Sequence, residues 1–142
     1  MPAARAEKNM ESKIDRPLIA IVDDDELVRR GIERVLRSNG MTALEFKSGT
    51  AFLEMLDATP SCVPACVILD VRMPGLDSYE VQKRLAAKRP GVPVVFITAD
   101  QDQLKYARTT GAAAVLEKPV DAGVLVSILR WVLKPAGADS SN

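Results

Sequence analysis

Leu18-Ile19-Ala20-Ile21-Val22 is apolar at five successive positions and then stops on Asp23, Asp24, Asp25 and Glu26. A strand with one wet face alternates apolar and polar residues, so an unbroken run of this length reads as a strand covered on both faces. The pattern recurs down the chain. Residues 65–69 run into Asp70, residues 93–97 into Thr98, and residues 113–116 into Glu117-Lys118-Pro119. A weaker strand, residues 41–46, suits a sheet edge. Parallel strands cannot be joined by a tight hairpin; each needs a crossover, usually a helix.

The segments between the runs supply those helices. Leu27, Val28, Ile32, Val35 and Leu36 recur at helical spacing, with Arg29, Arg30, Arg34 and Arg37 assigned to a solvated face. Asp25 is placed to cap that helix and Asn39-Gly40 to end it. Ser48 caps a second helix carrying Ala51, Phe52, Met55 and Leu56. A third, Ser78–Lys88, turns Val81 and Leu85 inward and Lys83, Arg84, Lys88 and the following Arg89 outward. A polar fourth spans 101–109, and a fifth spans 122–133 with Val124, Leu125, Ile128, Leu129 and Val132. Five strands alternating with five helices imply a doubly wound α/β fold, a parallel sheet with helices on both faces.

Composition narrows the chemistry. The 142 residues suit one domain, and 47% are hydrophobic, enough for a core. Nineteen basic and nineteen acidic residues cancel, which gives no bulk-charge signal for nucleic acid or an anionic membrane. The absence of histidine removes histidine triads and most transition-metal sites. Cys62 and Cys66, without histidine or further cysteine, match no zinc or redox motif and read as small semi-apolar residues. No apolar run approaches the ~20 residues of a membrane span. Residues 1–16 are polar and lack a signal-peptide core, and residues 135–142 are small and polar. Both are expected to be disordered, around a cytoplasmic domain at 17–134.

In an open parallel sheet all strand carboxyl ends lie along one edge, where ligands bind. That edge collects Asp23 and Asp24 after the first strand, Asp70 after the third, Thr98 after the fourth and Lys118 after the fifth. Three neighbouring carboxylates repel unless a cation joins them. An all-oxygen ligand set selects Mg²⁺ or Mn²⁺. Such a cation with Lys118 and Thr98 suits a phosphoryl group, and Asp70, the lone acid on a middle strand, is the candidate nucleophile for an acyl phosphate. Taken singly, each residue has a plainer reading: a helix-capping acid, a turn acid, a strand-end hydroxyl, a surface lysine. Their coincidence on one edge is what favours the chemical reading.

With Ile21-Val22-Asp23-Asp24-Asp25, Leu69-Asp70-Val71-Arg72-Met73-Pro74-Gly75, Phe96-Ile97-Thr98-Ala99 and Glu117-Lys118-Pro119 in this order, the chain resembles the receiver domain of two-component response regulators over residues 17–133. The resemblance implies a flavodoxin-like (βα)5 fold with strand order 2-1-3-4-5. It implies that Asp70 takes a phosphoryl group from the histidine of a sensor kinase or phosphotransfer protein. It implies Mg²⁺ on Asp23, Asp24, Asp70 and the Arg72 backbone carbonyl, the Arg72 side chain being free to vary. Thr98 and Lys118 would contact the phosphoryl oxygens, and a cis bond would precede Pro119. The implied outcome is a switch rather than a turnover enzyme. Its face of fourth helix, fifth strand and fifth helix would change affinity for an output domain, a partner or a second copy, without direct nucleic-acid or membrane binding. Two positions depart from the family. Val115 stands where an aromatic is usual, so coupling is expected to be weaker or to use another contact such as Tyr106. Ser78 stands where glycine is common, which is expected to change the turn and leave the chemistry intact. Two rival readings are an aspartyl phosphatase, disfavoured because Arg72 stands where such enzymes want a second acid, and a phosphorylation-independent scaffold.

Overall fold

A computed structural model describes residues 16–134. The expectations for residues 1–15 and 135–142 lie outside them. Strands and helices alternate: β1 (Leu18–Val22), α1 (Glu26–Ser38), β2 (Thr42–Phe46), α2 (Gly49–Ala58), β3 (Cys66–Asp70), α3 (Ser78–Lys88), β4 (Val94–Thr98), α4 (Gln101–Ala107), β5 (Ala114–Glu117) and α5 (Ala122–Val132). The five strands form one parallel sheet in the order β2-β1-β3-β4-β5. The doubly wound fold and its strand order are therefore as expected, and the Lys118–Pro119 bond is cis.

Every residue of β3 and β4 is buried, which is why their sequences do not alternate. Successive side chains still go to opposite faces. Ile19, Ile21, Ile68, Val95 and Ile97 pack with Ile32 and Leu36 of α1 and Leu125 and Leu129 of α5. Ala20, Val22, Val67, Leu69 and Phe96 pack on the other side with Phe52 and Leu56 of α2, Val81 and Leu85 of α3 and Ala107 of α4. The thiol of Cys66, within the first of these layers, is pushed up to about 12 by burial, as fits an unreactive core residue.

Local chemistry sets the helix ends. Asp25 accepts from Leu27 and Val28 N–H at 2.9 and 3.3 Å, and Ser48 accepts from Ala51 N–H at 3.0 Å. Asp100 and Asp121 cap α4 and α5 in the same way.

Two of the basic residues depart from the expectation of solvated faces, whereas Arg30, Arg34, Arg37, Lys83 and Arg84 are exposed as expected. Arg29 of α1 lies under the sheet edge, with only 12% of its side chain exposed, against Glu45 of β2 at 3.4 Å. Arg89, just past α3, donates to the carbonyls of Leu56 at 2.8 Å, Thr59 at 3.3 Å and Cys62 at 3.1 Å, tying the loop before β3 to α3. Conversely Leu27 and Val124, placed in the apolar patterns of their helices, are 81% and 48% exposed. Both lie in first turns, each followed directly by the residue that packs into the core in its place, Val28 and Leu125. Helix α4 stops at Ala107, two residues short of the expected end; Thr109 and Thr110 turn back onto Tyr106 and Ala107 carbonyls at 2.7 Å each.

Helices α2 and α3 meet at Gly49. A Cβ there would lie 2.4 Å from Val81 Cγ2. Gly49→Ala is therefore expected to destabilise the domain by about 1–3 kcal/mol, read as a lower urea midpoint with unchanged slope.

Candidate phosphoryl-acceptor site

The register decides which side chains meet. Val22 pairs with Leu69, so the next residues, Asp23 and Asp70, emerge side by side. Asp70 pairs with Ile97, which puts Thr98 one step further on, and Thr98 pairs with Glu117, which puts Lys118 next. The ladder is extended by Lys118 N–H donating to the Thr98 carbonyl at 2.9 Å and Val71 N–H to the Ile97 carbonyl at 3.0 Å.

Asp23 is fully buried, and Asp70 and Thr98 are 4% and 1% exposed. Lys118 Nζ stands between the two acids, 2.9 Å from Asp23 Oδ2 and 3.1 Å from Asp70 Oδ2. Asp23 Oδ1 accepts from Asp25 N–H at 2.9 Å. Its Oδ2 is buried and, apart from the ion pair with that ammonium, has no hydrogen-bond donor among the described residues. Asp70 Oδ1 accepts from Arg72 N–H at 3.2 Å. The exposed Asp24 completes the cluster: one carboxylate oxygen each from Asp23, Asp24 and Asp70 lie within 4.8 Å of one another.

One ammonium cannot neutralise three carboxylates. Burial, then the Asp23 charge, raise the Asp70 carboxyl to about 6, against the pull of Lys118. Burial draws the Lys118 ammonium down, but Asp23 and Asp70 together outweigh it and leave it above its ordinary value. A buried carboxylate oxygen with no donor beyond its ion-paired ammonium among the described residues, in an all-oxygen set of excess negative charge, fits a hard divalent cation.

All of Asp23, Asp24, Asp70 and Lys118 are thus brought together, with Thr98 on the adjoining strand end. Its Oγ1 accepts from Asp100 N–H at 3.0 Å, leaving the hydroxyl proton free to be donated elsewhere. Three supporting contacts were not legible beforehand. Arg29 Nη1 donates to the Asp23 carbonyl at 2.7 Å, fixing the acidic loop from beneath. The Arg72 side chain is engaged rather than idle: it forms an ion pair with Asp100, joining the loops after β3 and β4 across the site. That hydrogen bond, first among several causes, holds the Asp100 carboxyl below its ordinary value. Ser78 Oγ donates to the Asp70 carbonyl at 2.6 Å. At the departing position, Val115 packs against the α2–α4 side of the sheet. Tyr106 of α4, 56% exposed, meets Tyr79 edge-on at 4.7 Å, and Tyr79 meets Phe96 at 5.3 Å.

The raised Asp70 carboxyl has a stability consequence. In the unfolded chain this group titrates near 3.8, so above pH 6 folding must bury a charge that prefers water. In metal-free buffer at pH 8, Asp70→Asn is expected to stabilise the domain by up to roughly 3 kcal/mol. The gain should shrink as pH falls from 6 toward 4, where wild-type Asp70 becomes protonated in the folded state. Paired urea titrations at pH 8 and pH 5 check it.

Comparison with known proteins agrees with this geometry. The response regulator receiver domain family matches residues 19–130. The DNA-binding transcriptional regulator NtrC of Escherichia coli K12 is 34% identical over 118 residues, 82% of this chain and 24% of that protein. The transcriptional regulatory protein FixJ of Bradyrhizobium diazoefficiens is 34% identical over 120 residues, 83% of this chain and 57% of that one. The chain therefore spans between a quarter and just over half of these two relatives. Among solved structures, a response regulator receiver protein from Burkholderia phymatum is 46% identical, with a TM-score of 0.77, covering 87% of this chain and 99% of that chain. Response regulator StyR is 36% identical with a TM-score of 0.72, covering 84% of this chain and 60% of that one. With the sheet order, the acidic cluster and the lysine all in place, the chain belongs to the response regulator receiver domain family of two-component signalling.

Proposed function

We propose that Asp70 accepts a phosphoryl group from a histidine of a sensor kinase or phosphotransfer protein, in a reaction that requires Mg²⁺ or Mn²⁺. The observation that carries this reading is the buried Asp23–Lys118–Asp70 arrangement, with Asp24 beside it and one Asp23 oxygen with no partner but Lys118 among the described residues. Asp23, Asp24, Asp70 and the Arg72 carbonyl would hold the cation. When bound, it supplies positive charge against the carboxylates and the incoming phosphoryl oxygens. The Asp70 carboxylate attacks phosphorus, the bond from phosphorus to the donor's imidazole nitrogen breaks, and that nitrogen keeps the electron pair. Lys118, held charged by its two acids, faces a phosphoryl oxygen, and the Thr98 hydroxyl donates to another.

A switch follows from the same contacts. A phosphoryl group adds negative charge where Lys118 and Thr98 already meet. Drawing Thr98 toward it disturbs the Asp100 N–H that Thr98 accepts, at the first turn of α4. The α4–β5–α5 face would then change its affinity for an output domain, a protein partner or a second copy. The reading places this event in the cytoplasm, where phosphohistidine donors act, and gives the domain no turnover substrate of its own.

Acetyl phosphate with Mg²⁺ should add one phosphoryl group by intact mass, and Asp70→Ala or chelation of Mg²⁺ should abolish it. No adduct on the wild type, or an equal one on Asp70→Ala, rejects the proposal. Independently, Mg²⁺ at a hundred times its dissociation constant should stabilise the domain by about 2.7 kcal/mol. Asp24→Asn, an exposed change, should weaken Mg²⁺ affinity on the order of tenfold, which at the same Mg²⁺ concentration leaves about 1.4 kcal/mol of stabilisation, without lowering metal-free stability.

A further inference from the structure

We propose that Ser78 is a positioning residue for the phosphoacceptor: its hydroxyl fixes the peptide that follows Asp70, and with it the loop that reaches Arg72. The inference rests on the reading of Asp70 as acceptor and goes beyond it by assigning a role to a side chain outside the charged cluster.

The paired register of β1 and β3 ends at Val22 and Leu69, so the Asp70 carbonyl lies past the last paired residues on that side. Ser78 Oγ supplies its donor, at 2.6 Å. The other end of the same peptide, Val71 N–H, donates to the Ile97 carbonyl at 3.0 Å. The peptide plane is thus held at both ends, by α3 on one side and β4 on the other. The chain then folds back so that Arg72 N–H donates to Asp70 Oδ1 at 3.2 Å. The direction in which the Asp70 carboxylate leaves the sheet, and the course of the backbone through Arg72, both depend on that plane.

Ser78 is 1% exposed, so water has poor access to replace its hydroxyl if it is removed. It opens α3, where a serine hydroxyl would ordinarily serve its own helix. Here it reaches back to β3 instead, and the N-cap residue Asp77 makes no side-chain capping bond. Glycine or alanine at this position offers no donor, so without the Ser78 hydroxyl the peptide plane is held at its Val71 end alone.

The test measures the rate of adduct formation from acetyl phosphate against Mg²⁺ concentration for wild type, Ser78→Ala, Ser78→Gly and Gly49→Ala. The last weakens α2–α3 packing at Val81, one turn along α3 from Ser78, and controls for lost stability and a general loosening of that helix. Both Ser78 variants are expected to need about tenfold more Mg²⁺ for half-maximal rate, and to show a reduced rate at saturation, while Gly49→Ala keeps the wild-type midpoint. Wild-type midpoints and saturating rates in both Ser78 variants overturn the role of Ser78 and leave Asp70 as acceptor. A shift of equal size in Gly49→Ala overturns it too, because stability alone would then explain the effect. No adduct on the wild type overturns the reading of Asp70 itself.

Discussion

Two buried carboxylates share one ammonium, and the rest of the site is arranged around that shortfall. Asp23 and Asp70 are placed side by side by strand pairing, and Lys118 arrives from the sheet edge to stand between them. Without a counter-charge the pair would be prohibitive to bury, since each ion loses its water and repels the other. With one lysine the cost is reduced but not removed, as the elevated Asp70 carboxyl shows. The remaining imbalance, increased by Asp24 at the mouth, is a standing affinity for positive charge. A fully neutral cluster would be more stable and would have no use for a cation.

The scaffold supplies this imbalance cheaply because it is rigid where the charges sit. The strands are sealed by α1 and α5 on one face and by α2, α3 and α4 on the other. Contacts that brace the acids come from outside the cluster: Arg29 beneath the Asp23 carbonyl, Ser78 on the Asp70 carbonyl and Arg72 across to Asp100. All three act on backbone or loop positions rather than on the clustered carboxylate oxygens.

The unbroken apolar runs made the strands and their polar endings legible from sequence, because burial on both faces leaves a pattern that needs no partner to interpret. The five residues Asp23, Asp24, Asp70, Thr98 and Lys118 followed from the rule that parallel strands end together. Strand order did not follow from local pattern and came from the resemblance, since pairing is a property of two segments. Two of the arginines misled. Periodicity assigns a long basic side chain to water, yet Arg29 and Arg89 fold back along apolar stems to reach carbonyls. Ser78 stood out as a departure, but its contact was invisible for a related reason: the partner is a backbone atom, and every residue has that atom. Leu27 and Val124 are apolar at helical spacing but stay exposed, because the next residue in each helix, Val28 and Leu125, takes the inward position.

Asp70 ends the middle strand of five, a strand paired on both sides and buried along its length, and is itself paired to Ile97 of β4. Such a residue can change its charge but hardly its place. Whatever is altered by an added group at that point must therefore be altered elsewhere, in loops whose hydrogen bonds can be exchanged. The central strand is to this domain what an anvil is to a hammer: the stationary body against which a small blow becomes a displacement of the parts around it.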